Sequence, residues 1–367
     1  MTSMLDYLTW RGDLTFQRDP LNAVDALIFS TLAYISLGTQ DGTVVTVQRA
    51  AELFFERPDL DHRYLVKNDL ELLRRAAATE RFGKAKLYLY RDQLIPEQET
   101  QFAAMTFGLD DGTLFLAFRG TDYTLVGWKE DLNMSFQQTV PSQLLAVEYT
   151  REVAAEFDGM LYLGGHSKGG NLAVFAAARS SPLVQSRIRE VFNNDGPGFN
   201  SYLMGDPGYL AMVPKIRTFV PQSSVIGMLM EHEEPYTVIR SSSVGVMQHA
   251  PYSWEVEGKF FVPVQEITHS SQFLDATIKN WLAEMPTEER LKLVEVLYSL
   301  LSTGGVDAAM DIFQPKNLYV YLKTLNKNAD LRKALSSEFM GLVEAAHKTR
   351  QSFMEQKSLP EPEDKEA

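Results

Sequence analysis

The 367-residue chain has no cysteine. That excludes disulfides, thiolate nucleophiles and cysteine-based zinc sites, and it leaves the redox compartment open. Histidine is scarce, six in all, so any general base of that type has few places to be. Basic charge is in deficit: the formal net charge is −13, which argues against a phosphate-contacting, nucleic-acid-binding surface. No stretch approaches 18 uncharged apolar residues, so no transmembrane helix is expected. The opening Met1–Tyr7 lacks a basic region followed by an apolar run, and Asp6, Arg11, Asp13 and Asp19 interrupt any signal-peptide pattern. A cytoplasmic protein is the expectation, with transient lipid-surface contact allowed and the oligomeric state open. What the chain does have is apolar content, 45% of residues, enough for a sizeable core.

The most informative stretch runs from Leu161 to Ala173, LYLGGHSKGGNLA. An apolar strand leads into G-x-S-x-G, and an Ala-rich helix follows. That is the pattern of a nucleophile elbow, which lifts the Ser167 hydroxyl clear of a sheet. Glycine is needed at 165 and 169 because a Cβ there would crowd neighbouring elements. The Lys168 N–H falls at a helix N-terminus, where the backbone dipole favours a developing oxyanion.

The flanking pattern divides the chain. Residues 1–98 read as a mainly helical segment packing on a core, with helices over Pro20–Tyr34 (Asn22 as cap) and Asp69–Ala78. From Lys86 the period shortens, with a strand at Leu87–Tyr90. Gln101–Gly108 and Thr113–Phe118 form strands around an Asp110-Asp111-Gly112 turn. A helix near Val147–Phe157, the elbow, and strands at Glu190–Asn193, Lys215–Val220, Tyr236–Ile239 and Trp254–Phe261 complete a catalytic core over 99–265. The expected fold is α/β, an α/β-hydrolase with a mostly parallel, doubly wound sheet and helical additions at both ends. Residues 266–357 read as a C-terminal helical segment, a possible cap. Its helices are placed at Ala276–Glu284, Glu288–Leu301, Pro315–Leu325 and Asp330–Glu355. Residues 358–367 form an acidic, Pro-containing tail expected to be disordered.

A serine nucleophile needs a base, an orienting acid and oxyanion donors. His166 is inside the elbow, where its ring is expected to point away from Ser167; His62 and His347 lie in the outer helical segments. His249 follows the Tyr236 strand in a Gly- and Pro-punctuated loop, the place for the base, with His232 and His269 as alternatives. Asp195 directly follows the first strand after the elbow helix, and is favoured over Glu231, Glu233 and Glu234 as the acid. The same Asp-Gly step also suits an ordinary turn. Phe118-Arg119-Gly120-Thr121 ends an apolar strand and offers the Thr121 N–H opposite that of Lys168 as an oxyanion hole. Phe199, Met228 and Met230 are candidates for an apolar acyl pocket, though core packing explains such residues equally well. No metal or cofactor is required.

Phe118–Thr121, then Trp128, Asp131-Leu132, Gly165–Gly169, and His249 with Trp254 resemble, in that order, the motif set of class 3 (fungal-type) lipases. Over nearly the whole chain, Asp6–Phe16, Asn194–Phe199, Pro221–Ser224 and Gln248-His249 resemble a family of uncharacterised bacterial lipase-like α/β-hydrolases. The resemblance implies a serine hydrolase acting on esters, esterase or lipase, with a small-molecule ester or lipid substrate. One departure stands out. Class 3 lipases carry their acid after the later strand, where this chain has Ser223-Ser224. A relocation to Asp195, as in pancreatic-type lipases, accounts for the difference; an incomplete triad is the alternative. An amidase, peptidase or acyltransferase would use the same triad, and an inactive hydrolase-fold binding protein would keep its outline.

Overall fold

The computed structural model describes residues 2–38, 43–60, 63–122, 124–302 and 315–358. His62 and the tail beyond Ser358 lie outside the described residues. The chain divides into two units, residues 1–267 and the helices that begin after Thr268.

Five helices open the first unit: α1 (Met4–Arg11), α2 (Ala23–Leu32), α3 (Val47–Phe55), α4 (Lys67–Ala77) and α5 (Glu80–Gly83). Asn22 caps α2 as its sequence position suggests, accepting from the N–H groups of Val24 and Asp25. This layer is pinned by a fully buried ion pair between Arg81 of α5 and Asp25 of α2, whose partners Tyr7 and Asn22 complete the network.

The main sheet has eight strands in strictly sequential order. They are β1 (Val45–Thr46), β2 (Lys86–Ile95), β3 (Thr100–Gly108), β4 (Leu114–Phe118), β5 (Leu161–His166), β6 (Ile188–Asn194), β7 (Ile216–Pro221) and β8 (Tyr236–Ile239). β1 to β4 pair antiparallel, and β4 to β8 pair parallel. The crossovers are carried by α6 (Leu125–Met134) and α7 (Pro141–Glu156) before β5, and by α8 (Lys168–Arg179) and α9 (Pro182–Arg187) before β6; α10 (Pro207–Met212) precedes β7.

Right-handed crossovers between strands in consecutive order deliver their helices to one face. Accordingly, α7 and α8 pack with Leu114, Leu116, Phe118, Leu161 and Leu163 in one core. The alternate residues of the same strands, Phe115, Ala117 and Tyr162, face a second core built with α2, α3 and α4. Helices therefore cover both faces, but the second layer comes from the N-terminal helices rather than from the crossovers. Without that layer, the face carrying Phe107 and Phe115 would meet water, and Phe29 of α2 packs on both rings.

The predicted strand over Trp254–Phe261 is not one strand. Gly258 turns the chain with a φ of 62°, and the segment splits into β9 (Val256–Glu257) and β10 (Phe260–Phe261), a small antiparallel pair apart from the main sheet.

The second unit is helical: α11 (His269–Glu284), α12 (Thr287–Ser302), α13 (Pro315–Lys327) and α14 (Ala329–Ser358), with the first three packing on α14. None of the helices of the described residues is long and apolar enough to cross a membrane.

Candidate active site

β5 ends in the elbow. Ser167 has φ 59° and ψ −133°, a strained conformation for a residue with a side chain. Its N–H is held by Asn194 O at 3.0 Å, and its own carbonyl accepts from Gly170 N at 2.9 Å. The turn closes only with glycine on either side. A Cβ on Gly165 would stand 2.1 Å from the Gly169 carbonyl carbon, and one on Gly169 would stand 2.1 Å from Phe118 O. Sheet and helix approach each other too closely here for any larger residue. Lys168 is the first residue of α8, so its N–H is among those the helix leaves without a partner in its first turn.

Asp195 follows β6 with φ 53° and is fully buried. Its backbone N–H donates to Phe219 O at 2.8 Å, which fixes the loop against β7. Oδ2 lies 2.7 Å from His249 Nδ1, and Oδ1 accepts from the Ser224 hydroxyl at 2.5 Å. A carboxylate accepting at both oxygens is tightly oriented, and a hydrogen bond to Nδ1 leaves Nε2 of His249 as the basic nitrogen. The His249 side chain is 29% exposed, so the buried carboxylate meets a solvent-reachable imidazole.

The His166 ring is buried against the His249 ring, with centroids 4.6 Å apart. Its Nε2 faces the carbonyl oxygen of His249 at 2.8 Å, and its Nδ1 faces the Tyr34 hydroxyl at 3.1 Å. Burial, and then the neighbouring His249, hold the His166 imidazole well below its ordinary pKa. The loop carrying His249 is held further by Gln248, whose side chain spans Ser223 N and Ser243 O and whose carbonyl accepts from the Trp254 indole at 2.9 Å.

The segment after β4 is held from both sides. The Arg119 guanidinium pairs with Asp92 at 3.0 Å and Asp122 at 3.4 Å. Thr121 donates its hydroxyl to Asp131 Oδ2 at 2.5 Å. Behind it lies a buried ion pair. Lys168 Nζ reaches Glu130 Oε2 at 3.0 Å and the side-chain and main-chain oxygens of Gln101 at 2.9 Å, which saturates its three donors. Glu130 in turn accepts from the N–H groups of Gln101 and Ser142. Desolvation pushes the Asp131 carboxyl up to about 6, against the pull of the Lys168 ammonium 3.9 Å away.

The other named residues have partners of their own. His232 is tied to Glu234 at 3.1 Å and to Gly227 O at 2.9 Å, and Glu234 also accepts from Tyr209 and Thr218. Glu233 accepts from Gly205 N, Glu231 bridges to Phe199, and His269 opens α11. Phe199 is buried against Phe175 and Tyr209 in the core beneath α8. Met228 is buried with Val220, Val238 and Ile267, and Met230 takes a φ of 64°.

Sequence reasoning gave no site role to Tyr34, Ser224, Gln101 or Glu130. Each meets a site residue through a contact between distant segments, and no local pattern marks such a residue.

A parallel sheet with a strained serine at the sharp turn into a helix, and an acid–histidine pair on the loops after later strands, defines a lipase-like α/β-hydrolase. Residues 76–299 match the model of the Mbeg1-like family, more than half of the chain, and the chain belongs to that family. Among the solved structures similar to it are two fungal ones. One is a mutant form of MDLA of Penicillium cyclopium, at 13% identity and a TM-score of 0.37, covering 65% of this chain and 83% of that one. The other is the Rhizomucor miehei lipase propeptide complex, also at 13% identity and a TM-score of 0.37, covering 65% and 81%. No curated protein matches the chain. The fold assignment stands on the sheet order and the elbow.

Proposed function

We propose that the protein is a serine hydrolase of carboxylic esters, acting on lipid-like acyl chains through an acyl-enzyme on Ser167. The observation that carries this reading is the His249–Asp195 pair at 2.7 Å, formed by loops that follow later strands of the sheet that presents Ser167. Ser167 Oγ attacks the ester carbonyl carbon, and His249 Nε2 takes the hydroxyl proton. The tetrahedral intermediate collapses, the C–O bond to the alcohol breaks, and His249 returns the proton to the leaving alkoxide. Water then attacks the acyl-enzyme with the same base, releasing the acid and restoring Ser167. Asp195 fixes the imidazole tautomer and stabilises the imidazolium. The N–H groups of Thr121 and Lys168 receive the oxyanion, each donor of this kind being worth about 100- to 1,000-fold in rate.

An apolar substrate is favoured by the turn leading into His249, on which Val244, Val246 and Met247 stand exposed. The test is a chain-length series of p-nitrophenyl esters, with matched amides, on wild type and Ser167→Ala, alongside labelling by a fluorophosphonate probe. Wild type is expected to hydrolyse esters faster than amides and to label. Ser167→Ala is expected to do neither while melting as a folded protein. Wild-type activity in Ser167→Ala removes the mechanism, and an unlabelled, inactive wild type favours a hydrolase-fold binding protein.

A further inference from the structure

We infer that Tyr34, supplied by the N-terminal helical layer, is a positioning residue that couples the oxyanion loop to the histidine loop through the His166 ring. The inference rests on the hydrolase reading above. It concerns a residue outside the segment that matches the family model, which begins at residue 76.

Tyr34 follows the C-terminus of α2 and is buried beneath the elbow. Three contacts converge on its hydroxyl. The Gly120 main chain, from the oxyanion loop, packs directly against it. The His166 Nδ1 lies 3.1 Å away, and the His166 carbonyl lies 3.2 Å away. The direction of the chain follows from what each atom can do. The His249 carbonyl can only accept, so the His166 Nε2 facing it at 2.8 Å carries a proton. A neutral imidazole then has an accepting Nδ1, and the Tyr34 O–H, shared between Nδ1 and the His166 carbonyl, is the donor that faces it. The contacts run from Gly120, packed on the Tyr34 oxygen, through the Tyr34 O–H to His166, and from His166 Nε2–H to the main chain of His249.

This arrangement holds the two halves of the site from behind. Gly120 immediately precedes Thr121, the oxyanion donor, and the His249 main chain carries the base. A single phenol fixes the tautomer of the ring on which the base rests. The space around that phenol is fully used, because a Cβ on Gly120 would fall 2.0 Å from the Tyr34 oxygen. Catalytic positioning of this sort is sensitive: a displacement of about 1 Å can cost on the order of 100-fold in rate.

Tyr34→Phe removes the hydroxyl and keeps the ring. Two measurements on the full-length protein read the result. The first is nitrogen-15 NMR of the histidine rings across neutral pH. In wild type, His166 is expected to hold its proton on Nε2; in Tyr34→Phe, Nδ1 loses its donor, and the ring is expected to populate both tautomers. The second is ester kinetics, where kcat is expected to fall ~10- to 100-fold with KM changed less than about twofold. Should Tyr34→Phe fold poorly, His166→Gln and His166→Asn decide. The Gln amide reaches the place of Nε2 and is expected to retain a higher kcat than Asn. Unchanged ring signals with unchanged kcat in Tyr34→Phe overturn the inference, as does an Asn variant equal to or better than Gln. An enzyme inactive on esters in wild type and Ser167→Ala alike removes the hydrolase reading, and the NMR result still decides the role of Tyr34.

Discussion

Ser224 donates its hydroxyl to Oδ1 of Asp195 at 2.5 Å, on the carboxylate whose other oxygen faces His249. Ser224 lies just beyond β7, where the resemblance to class 3 lipases implies an acid. The same hydroxyl accepts from Gly227 N at 3.1 Å, so it is both donor to the acid and anchor of the next loop. Ser224→Ala removes a hydrogen bond to a charged group, worth about 1.5–3 kcal/mol. Chemical denaturation is expected to register a loss of that order, with a lower kcat; unchanged stability and kcat would leave Ser224 without a role at the acid.

Asp195→Asn is expected to lower kcat by about 10,000-fold, because the amide admits the wrong imidazole tautomer. The backbone tolerates the change, since asparagine accepts the left-handed conformation seen at φ 53°. Circular dichroism and the melting temperature are expected to stay near wild type. A loss below tenfold would reassign the acid.

Gly120→Ala brings a methyl group within 2.0 Å of the Tyr34 oxygen and 2.5 Å of His166 O. Neither neighbour is the free end of a flexible chain. The expected cost is about 1–3 kcal/mol in stability, typical of overpacking, together with a marked loss of ester hydrolysis. Thermal unfolding and kcat measure the two effects separately.

Desolvation pushes the folded Asp131 carboxyl up to about 6, above the ordinary value of 3.8. A carboxyl with a raised folded pKa binds more protons folded than unfolded between those values. Its contribution is therefore greatest below about pH 4 and is lost as pH rises through about 6. Compared with Asp131→Asn, which cannot ionise, wild type is expected to lose stability across that window and to run parallel above it. Denaturation curves of the two proteins at pH steps from about 4 to 7 check the sign. A wild type that gains on the variant over the same range would reverse it.

The elbow was legible because its cause is local. Gly165, Ser167 and Gly169 lie within five residues, and the geometry that excludes a Cβ arises from one strand turning into one helix. The crossover strands and α8 were legible for a similar reason, the change in apolar period. The limits of β9 and β10 were not, because an apolar run through Gly258 reads as a single strand until the turn is seen. α6 was also missed; its amphipathic pattern is weak, and Glu130 and Lys129 are buried through ion pairs rather than through apolar faces.

The sequence by itself determined the fold class, the position of Ser167 on a sharp turn, and the short roster of histidines and acids from which a site can be built. These follow from spacing, composition and the steric demands of glycine. Tertiary structure alone decided which of those groups meet. It set the carboxylate of Asp195 against His249 and Ser224, turned the Lys168 side chain inward onto Glu130, and brought Tyr34 across 132 residues to His166. Such contacts depend on the order in which strands pair and on which helix covers which face, and neither is written in any local window of the chain.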